Sequence, residues 1–145
     1  MSNLNILYAS EMGNAIEIAE EAYSMALKKN ISVEKFEMNE VSIDDLQKMK
    51  KVMFITSTTG DGDVPMMGEV FWDNLENSDI ALNELEYSVC ALGDSSYFDF
   101  CGAGKKIDKK MKDLGAKSVV ERHDCDFDIE GWENWAEKSF SKMGF

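Results

Sequence analysis

Three short stretches of the chain carry groups suited to holding a ligand. The first is Ser10-Glu11-Met12-Gly13-Asn14-Ala15, which joins an apolar run to a helix-like pattern. Backbone N–H groups at a helix N-terminus form an anion site, helped by the helix dipole. Gly13 would let the backbone come close to a phosphate, and Ser10 and Asn14 can add side-chain donors. The stretch has no Lys or Arg, so an anion there would be held by neutral donors alone. The second stretch is Ser57-Thr58-Thr59-Gly60-Asp61-Gly62. It offers three hydroxyls, then two glycines that adopt positive φ cheaply. It reads either as a backbone that reorients beside a ligand or as a plain tight turn. The third runs from Gly93 to Cys101 and is both acidic and aromatic, with Asp94, Tyr97, Phe98, Asp99 and Phe100. Loops mostly run over the surface in water. Rings so closely spaced either fold under the loop as local core or face a flat partner. Together the three stretches would hold a phosphate at one end and a flat heteroaromatic ring at the other.

Other chemistry has little support. Cys90, Cys101 and Cys125 are odd in number and form no C-x-x-C pair, which argues against a disulfide framework or a zinc site. They read as small packing residues in a reducing cytoplasm. The sole histidine, His123, has no companion for a metal site. The first stretch is not a Walker loop and lacks G-x-G-x-x-G. The 28 acidic residues outnumber the 15 basic ones, for a formal net charge of −13. Such a surface repels nucleic acid and anionic membranes, and steers basic protein partners. No apolar run approaches the roughly 20 residues of a membrane span. The N-terminus has no signal-peptide pattern, and 145 residues suit one domain with its own core.

The elements that must position these stretches alternate. Asn5–Ala9 reads as a buried strand. The helix after it places Ile16, Ala19, Tyr23 and Leu27 on one side. Ile31–Met38 is a strand whose apolar residues change phase, which fits an edge. Ser42 with Asp45 three residues on marks a helix cap. Lys51–Thr56 is a second buried strand, and Pro65 suits the first turn of a helix that continues from Met66 to Leu75. Glu86–Leu92 is a strand. The helix after Gly104 groups Ile107, Met111 and Leu114 and stops at Gly115. Ser118–Glu121 is a short strand, 124–128 an acidic loop, and Asp128 can cap a last helix carrying Trp132, Trp135, Ala136 and Phe140 as core anchors. This βα alternation implies an α/β doubly wound, five-stranded parallel sheet of order 2-1-3-4-5 between two helix layers. Right-handed crossovers then set the ends of the first, third and fourth strands side by side. Those ends carry the three stretches.

The motifs YASEMGN, TSTTGDGDVP and LGDSSYFDFCGAGKK resemble the three flavin mononucleotide (FMN) loops of the flavodoxin family, and those of the flavodoxin-like domains of sulfite reductase and other diflavin reductases. The resemblance spans the chain in order and spacing, and is similar to short-chain flavodoxins. It implies that Ser10, Glu11, Met12, Gly13, Asn14 and Ala15 hold the phosphate, joined by Ser57. Thr58, Thr59, Gly60 and Asp61 would line the inner side of the ring, and Tyr97 would stack on its outer face. Asp94, Asp99 and Cys101, in the loop that includes Gly93 and Phe100, would meet the pyrimidine edge through backbone atoms. Phe98 and Phe100 keep a core reading for their rings. The family usually has a hydroxyl residue where Met12 stands and often Thr where Ala15 stands. Many members have Trp or Tyr where Thr59 stands, so either Met66, Met67 or another residue would cover the inner face or that face would be more open.

The function so implied is a low-potential electron carrier, not an enzyme in itself, with non-covalent FMN as cofactor. A monomer in the cytoplasm, it would dock basic redox proteins, a flavodoxin reductase and electron-accepting enzymes, on an acidic face near the flavin. With the chain ending at Phe145, a free carrier is expected over a diflavin enzyme. The alternatives are a dedicated flavoprotein subunit of one enzyme system and a small flavin quinone reductase. A phospho-acceptor signalling domain of the same topology needs acidic residues at strand ends that here read Tyr8-Ala9-Ser10 and Ile55-Thr56-Ser57.

Overall fold

A computed structural model describes residues 3–60, 62–94, 100–126 and 129–145. Strand β1 (Leu4–Ala9) leads into α1 (Asn14–Lys28), then β2 (Val33–Glu37), a 3-10 turn at Met38–Glu40, α2 (Ile43–Lys48) and β3 (Lys51–Thr56). Helix α3 (Met66–Glu76), β4 (Glu86–Leu92) and α4 (Gly102–Asp113) follow. Two short strands, β5 (Lys117–Ser118) and β6 (His123–Cys125), precede α5 (Trp132–Lys142). Every pairing in the sheet is parallel and the order is β2-β1-β3-β4-β5, with β6 also against β4. This is the doubly wound order expected from the alternation, with β2 at the edge.

Strand periodicity divides the core. Leu4, Ile6, Met53, Ile55, Cys90 and Leu92 point to one face, under α1 and α5. Leu7, Val52, Phe54, Val89 and Ala91 point to the other, under α2, α3 and α4. Trp132 and Trp135 are buried anchors on the first face. Ser42 and Asp45 form a capping box at α2, and Pro65 stands at the N-cap of α3, one place ahead of its first turn.

Four expectations are corrected. Helix α1 buries Ala15, Ile18, Ala19, Ala22 and Ala26, while Leu27 is 49% exposed. The sheet takes the small-residue stripe because alanines let a helix approach closely, and Tyr23 packs only at its border. Strand β2 is shorter than Ile31–Met38 because a capping box between Glu37 and Glu40 turns the chain into the 3-10 turn. The fifth position of the sheet is not one strand over Ser118–Glu121 but two short ones, β5 ending at Ser118 and β6 starting at His123. Val119 N still donates to Tyr87 O, but Ser118 Oγ donates to Val120 O at 3.1 Å and the chain leaves the ladder until His123. Asp124 therefore lies in β6 and not in a loop. Finally, α5 begins at Trp132 with Gly131 at its N-cap, three places after Asp128, which lies outside the described residues.

Candidate functional site

Register sets the three loops at one end of the sheet. Ala9 lies opposite Thr56, and Thr56 opposite Ala91. Ser57 N donates to Ala9 O at 2.9 Å, which joins the first two loops at their roots.

In the first loop Gly13 is the N-cap of α1 with φ 97°. A Cβ there would meet nothing within 4 Å, so the backbone angle and not space requires glycine. Gly13 N donates to Ser10 Oγ at 2.8 Å, and Ser10 is buried. The serine hydroxyl thus accepts from the loop and keeps its own proton to donate. Helix α1 has no side-chain cap. The N–H groups of Asn14, Ala15 and Ile16 find no acceptor among the described residues. These are the orphan donors of a helix start, at its positive pole. The side chains of Glu11 and Asn14 are exposed, and Met12, 89% exposed, stands clear of the loop.

The second loop is a tight turn. Thr59 and Asp63 exchange N–H···O bonds at 2.9 and 2.8 Å, with Gly60 and Gly62 at positive φ between them. Two contacts tie it to α4: Ala103 N donates to Thr58 Oγ1 at 3.4 Å, and Lys106 Nζ meets Asp63 Oδ1 at 3.4 Å. Ser57, Thr58 and Thr59 are half-buried and Gly60 is exposed. Asp61 lies outside the described residues.

The third loop is pinched at its base. A Cβ on Gly93 would stand 2.8 Å from Cys101 N. Gly93 N donates to Cys125 O at 3.0 Å, and Cys101 Sγ donates to Ala91 O at 3.4 Å and to Cys125 O at 3.6 Å. Burial pushes the Cys101 thiol up to about 12, so it stays a neutral donor. Asp94 is half-buried. Phe100 packs half-buried against the second core face, with Lys105 Nζ 6.0 Å from its ring centre, in line with its core reading. Tyr97 and Asp99, with Phe98 between them, lie outside the described residues.

What the sequence did not point to lies beneath this third loop. Arg122 donates to Asp108 Oδ2 at 2.9 Å through Nη1 and to Asp124 Oδ1 at 2.8 Å through Nε. Tyr87 OH donates to Asp108 Oδ1 at 2.6 Å. Desolvation by burial, then this bond to Asp108, raise the Tyr87 hydroxyl far above its ordinary value. The network ties α4 to β6 and so fixes the Cys125 carbonyl that receives both ends of the loop. Cys90 and Cys125 are free thiols with their sulfurs 3.9 Å apart. The Cys90 thiol hydrogen-bonds to Cys125, which lowers Cys125 and raises Cys90. No linear motif marks these contacts, because they depend on the register of β6.

Beside the first two loops and α3 lies a cavity of about 1020 Å³. Glu11, Asp63, Glu69, Asp73 and Glu76 line it, and Lys106, already paired with Asp63, is the one basic residue among its walls. Met66 is 81% exposed along it, with Met67 and Trp72. No cluster of metal-ligating side chains occurs among the described residues, and none of their helices is long and apolar enough to cross a membrane.

A parallel sheet of this order, with the roots of three loops at its switch point, is a doubly wound α/β protein of the kind that binds ligands at the carboxyl ends of its strands. The family profile described as Flavodoxin matches residues 6–138. The chain is 37% identical over 142 residues to the sulfite reductase [NADPH] flavoprotein alpha-component of Vibrio parahaemolyticus, covering 97% of this chain and 23% of that protein. It is 38% identical over 130 residues to NADPH oxidoreductase A of Dictyostelium discoideum, covering 88% of this chain and 20% of that one. It therefore spans under a quarter of the length of these relatives. A flavodoxin of Streptococcus pneumoniae superposes with a TM-score of 0.82 at 29% identity, covering 96% of this chain and 98% of the other. The chain belongs to the flavodoxin family, and its cofactor is FMN.

The described residues fit that cofactor. Three orphan amides and a serine proton at the start of α1 suit a phosphate dianion without any cation. The pinched third loop and the tight second loop present half-buried backbone on either side of the same strand ends. The bound group would supply one- and two-electron chemistry; the protein's part is to hold and orient it.

Proposed function

We propose that the chain, over residues 1–145, is one FMN-binding unit that carries electrons one at a time between redox proteins and is not itself an enzyme. The observation that carries this reading is the uncapped start of α1 at the convergence of the three loops. Ser10 to Ala15 with Ser57 would hold the phosphate, Thr58 to Asp61 the inner side of the ring, and Gly93 to Cys101 the pyrimidine edge, with Tyr97 stacked outside. Met67 and Trp72, which border the neighbouring cavity, are candidates to cover the inner face where Thr59 is too small. The acidic cavity wall beside exposed Met12 and Met66 supports docking of basic partners: the carboxylates speed encounter and the methionines supply adaptable apolar contact. A monomer in the cytoplasm is the matching state.

The test is stopped-flow reduction of the FMN-loaded protein by NADPH. A carrier stays oxidised with NADPH alone and is reduced once a flavodoxin reductase is added. Its reduction rate then falls steeply with salt, as charges are screened beyond about 10 Å at 0.1 M. Reduction by NADPH alone would overturn the carrier reading. A second reading, a flavoprotein component dedicated to one NADPH-dependent reductase, is favoured by the identity to the sulfite reductase alpha-component. It predicts reduction by one partner only and none by a general flavodoxin reductase.

A further inference from the structure

The chain carries a formal net charge of −13, but its charges are segregated. Residues 105–122 hold seven of the 15 basic residues and three of the 28 acidic ones, which leaves +4 on that stretch and −17 on the rest. Most of the excess stands on α4. Its buried positions are Gly102, Ala103, Gly104, Ile107, Asp108 and Met111. Of the other six, five are lysines, Lys105, Lys106, Lys109, Lys110 and Lys112, and the sixth is Asp113. Helix α3 packs beside α4 on the same face of the sheet and is the reverse, with Glu69, Asp73 and Glu76 and no basic residue.

The lysines do little for the helix itself. A helix gains from acidic residues at its N-terminus, yet α4 has none in its first turn, and Lys105 and Lys106 stand near that end. Lys105 with Lys109, and Lys106 with Lys110, are like charges one turn apart, an arrangement that works against a helix. Neighbouring acids answer only part of the charge. Lys106 meets Asp63 at 3.4 Å, Lys109 meets Asp113 at 3.5 Å and Lys112 meets Asp108 at 3.6 Å. Lys110 makes no ion pair among the described residues. The face also lies at the cofactor end of the sheet. Cys101, at the base of the third loop, is the N-cap of α4, and Ala103 N donates to Thr58 Oγ1 of the second loop. Lys105 Nζ is 6.0 Å from the ring centre of Phe100, at the end of the third loop. A protein seated along these lysines borders two of the three loops to which FMN is assigned.

We propose that the lysine face of α4 is a second docking surface, which receives a redox protein whose own docking face is acidic, while the carboxylates around α3 receive basic partners. Opposite charges across an interface select the partner and set its register. The inference builds on the carrier reading: two docking faces of opposite sign sort partners by where each can land. In the docked pair one electron leaves the reduced flavin and enters the partner's redox centre.

The experiment takes the FMN-loaded protein, reduced with stoichiometric dithionite, and mixes it by stopped flow with plant plastocyanin, an acidic copper protein. The flavin loses one electron and Cu(II) becomes Cu(I). Mitochondrial cytochrome c, a basic protein whose Fe(III) becomes Fe(II), is the comparison. With plastocyanin the rate should pass through a maximum as ionic strength rises. At roughly 0.01 M the screening length is about 30 Å and the two acidic molecules repel as wholes; at about 0.1 M it is about 10 Å and α4 meets the acidic face locally; at about 1 M it is about 3 Å and the attraction is lost. Replacing Lys109 and Lys110 together by Gln should slow plastocyanin reduction about threefold at the maximum, and by Glu about tenfold, with a rate that then only rises with salt. Neither variant slows cytochrome c, and FMN absorbance is kept, since both lysines lie outside the residues assigned to FMN. A plastocyanin rate that only rises with salt in the unaltered protein, no slowing in the Glu variant, or equal slowing with both acceptors overturns the inference. Dithionite supplies the electrons, so failure here leaves the carrier reading intact, and reduction by NADPH alone, which would overturn that reading, leaves this charge dependence standing.

Discussion

The two ends of the sheet are built on opposite rules. At the C-terminal ends of the strands, backbone donors have no partner among the described residues: α1 starts on Gly13 with no side-chain cap, and the N–H groups of Asn14, Ala15 and Ile16 meet no acceptor there. At the N-terminal ends, groups are mostly closed upon one another. Ser42 and Asp45 cap α2 reciprocally, and Lys51 ties the C-terminal Met143 carbonyl to β3. The first end gives up local satisfaction so that an anionic ligand can supply it; the second spends its polar groups on holding the chain together. Changes at the loop end should alter FMN binding, and changes at the other end should alter stability with FMN binding preserved.

The largest effect that sharpens this contrast is expected from Gly104→Ala. The added Cβ would stand 2.2 Å from the Ala91 Cβ and 3.2 Å from its Cα, so α4 must move off β4. Urea denaturation should show a loss of about 3 kcal/mol, with weaker FMN binding because α4 carries Cys101 at its N-cap. A cost within error would mean that α4 is free to slide, and that the third loop is not held from below.

Arg122→Ala comes next. It strips the guanidinium from Asp108, which is 5% exposed and keeps only Tyr87 OH and a distant Lys112 at 3.6 Å. The arginine is partly solvated, so the expected loss is about 2 kcal/mol, below that of a fully buried pair. FMN dissociation should quicken because the Cys125 carbonyl is released. Stability lost with the FMN off-rate unchanged would place the network outside the site.

Ser42→Ala tests the opposite end. Losing the capping box should cost about 1 kcal/mol in urea denaturation. FMN affinity by fluorescence quenching should stay the same; a change there would break the separation of the two ends.

The smallest expected effect is with pH. The His123 pKa is raised from its ordinary 6.5, first by its hydrogen bond to Cys125 and then by Glu130 O, 2.8 Å from Nε2. A folded value above the unfolded one means that the protonated ring stabilises the fold. That contribution is whole below 6.5 and fades as pH rises through the raised value. His123→Gln should flatten the stability profile across that window; an unaltered profile would show that the ring does not gain its proton on folding.

Much of this protein is legible from local pattern. The mainly apolar runs Lys51–Thr56 and Glu86–Leu92 are strands β3 and β4 as bounded in the sequence, because a strand buried on both faces loses the usual alternation with polar residues. The Ser42 and Asp45 spacing names its capping box, since both partners lie within one turn. The three loop motifs, with their glycines and hydroxyls, are the residues to which the proposed FMN site is assigned. Helix α1 was harder: hydropathy favours Leu27, while close approach to the sheet favours Ala22 and Ala26.

The sequence by itself determined the alternation, the loop chemistry and the acidic surface, all of which are properties of neighbouring residues. Tertiary structure alone decided two things. It split the fifth sheet position around Arg122, because Asp108 and Asp124 come within reach only after α4 and β6 dock on β4. It set Cys125 under Gly93 and Cys101, both far from it along the chain.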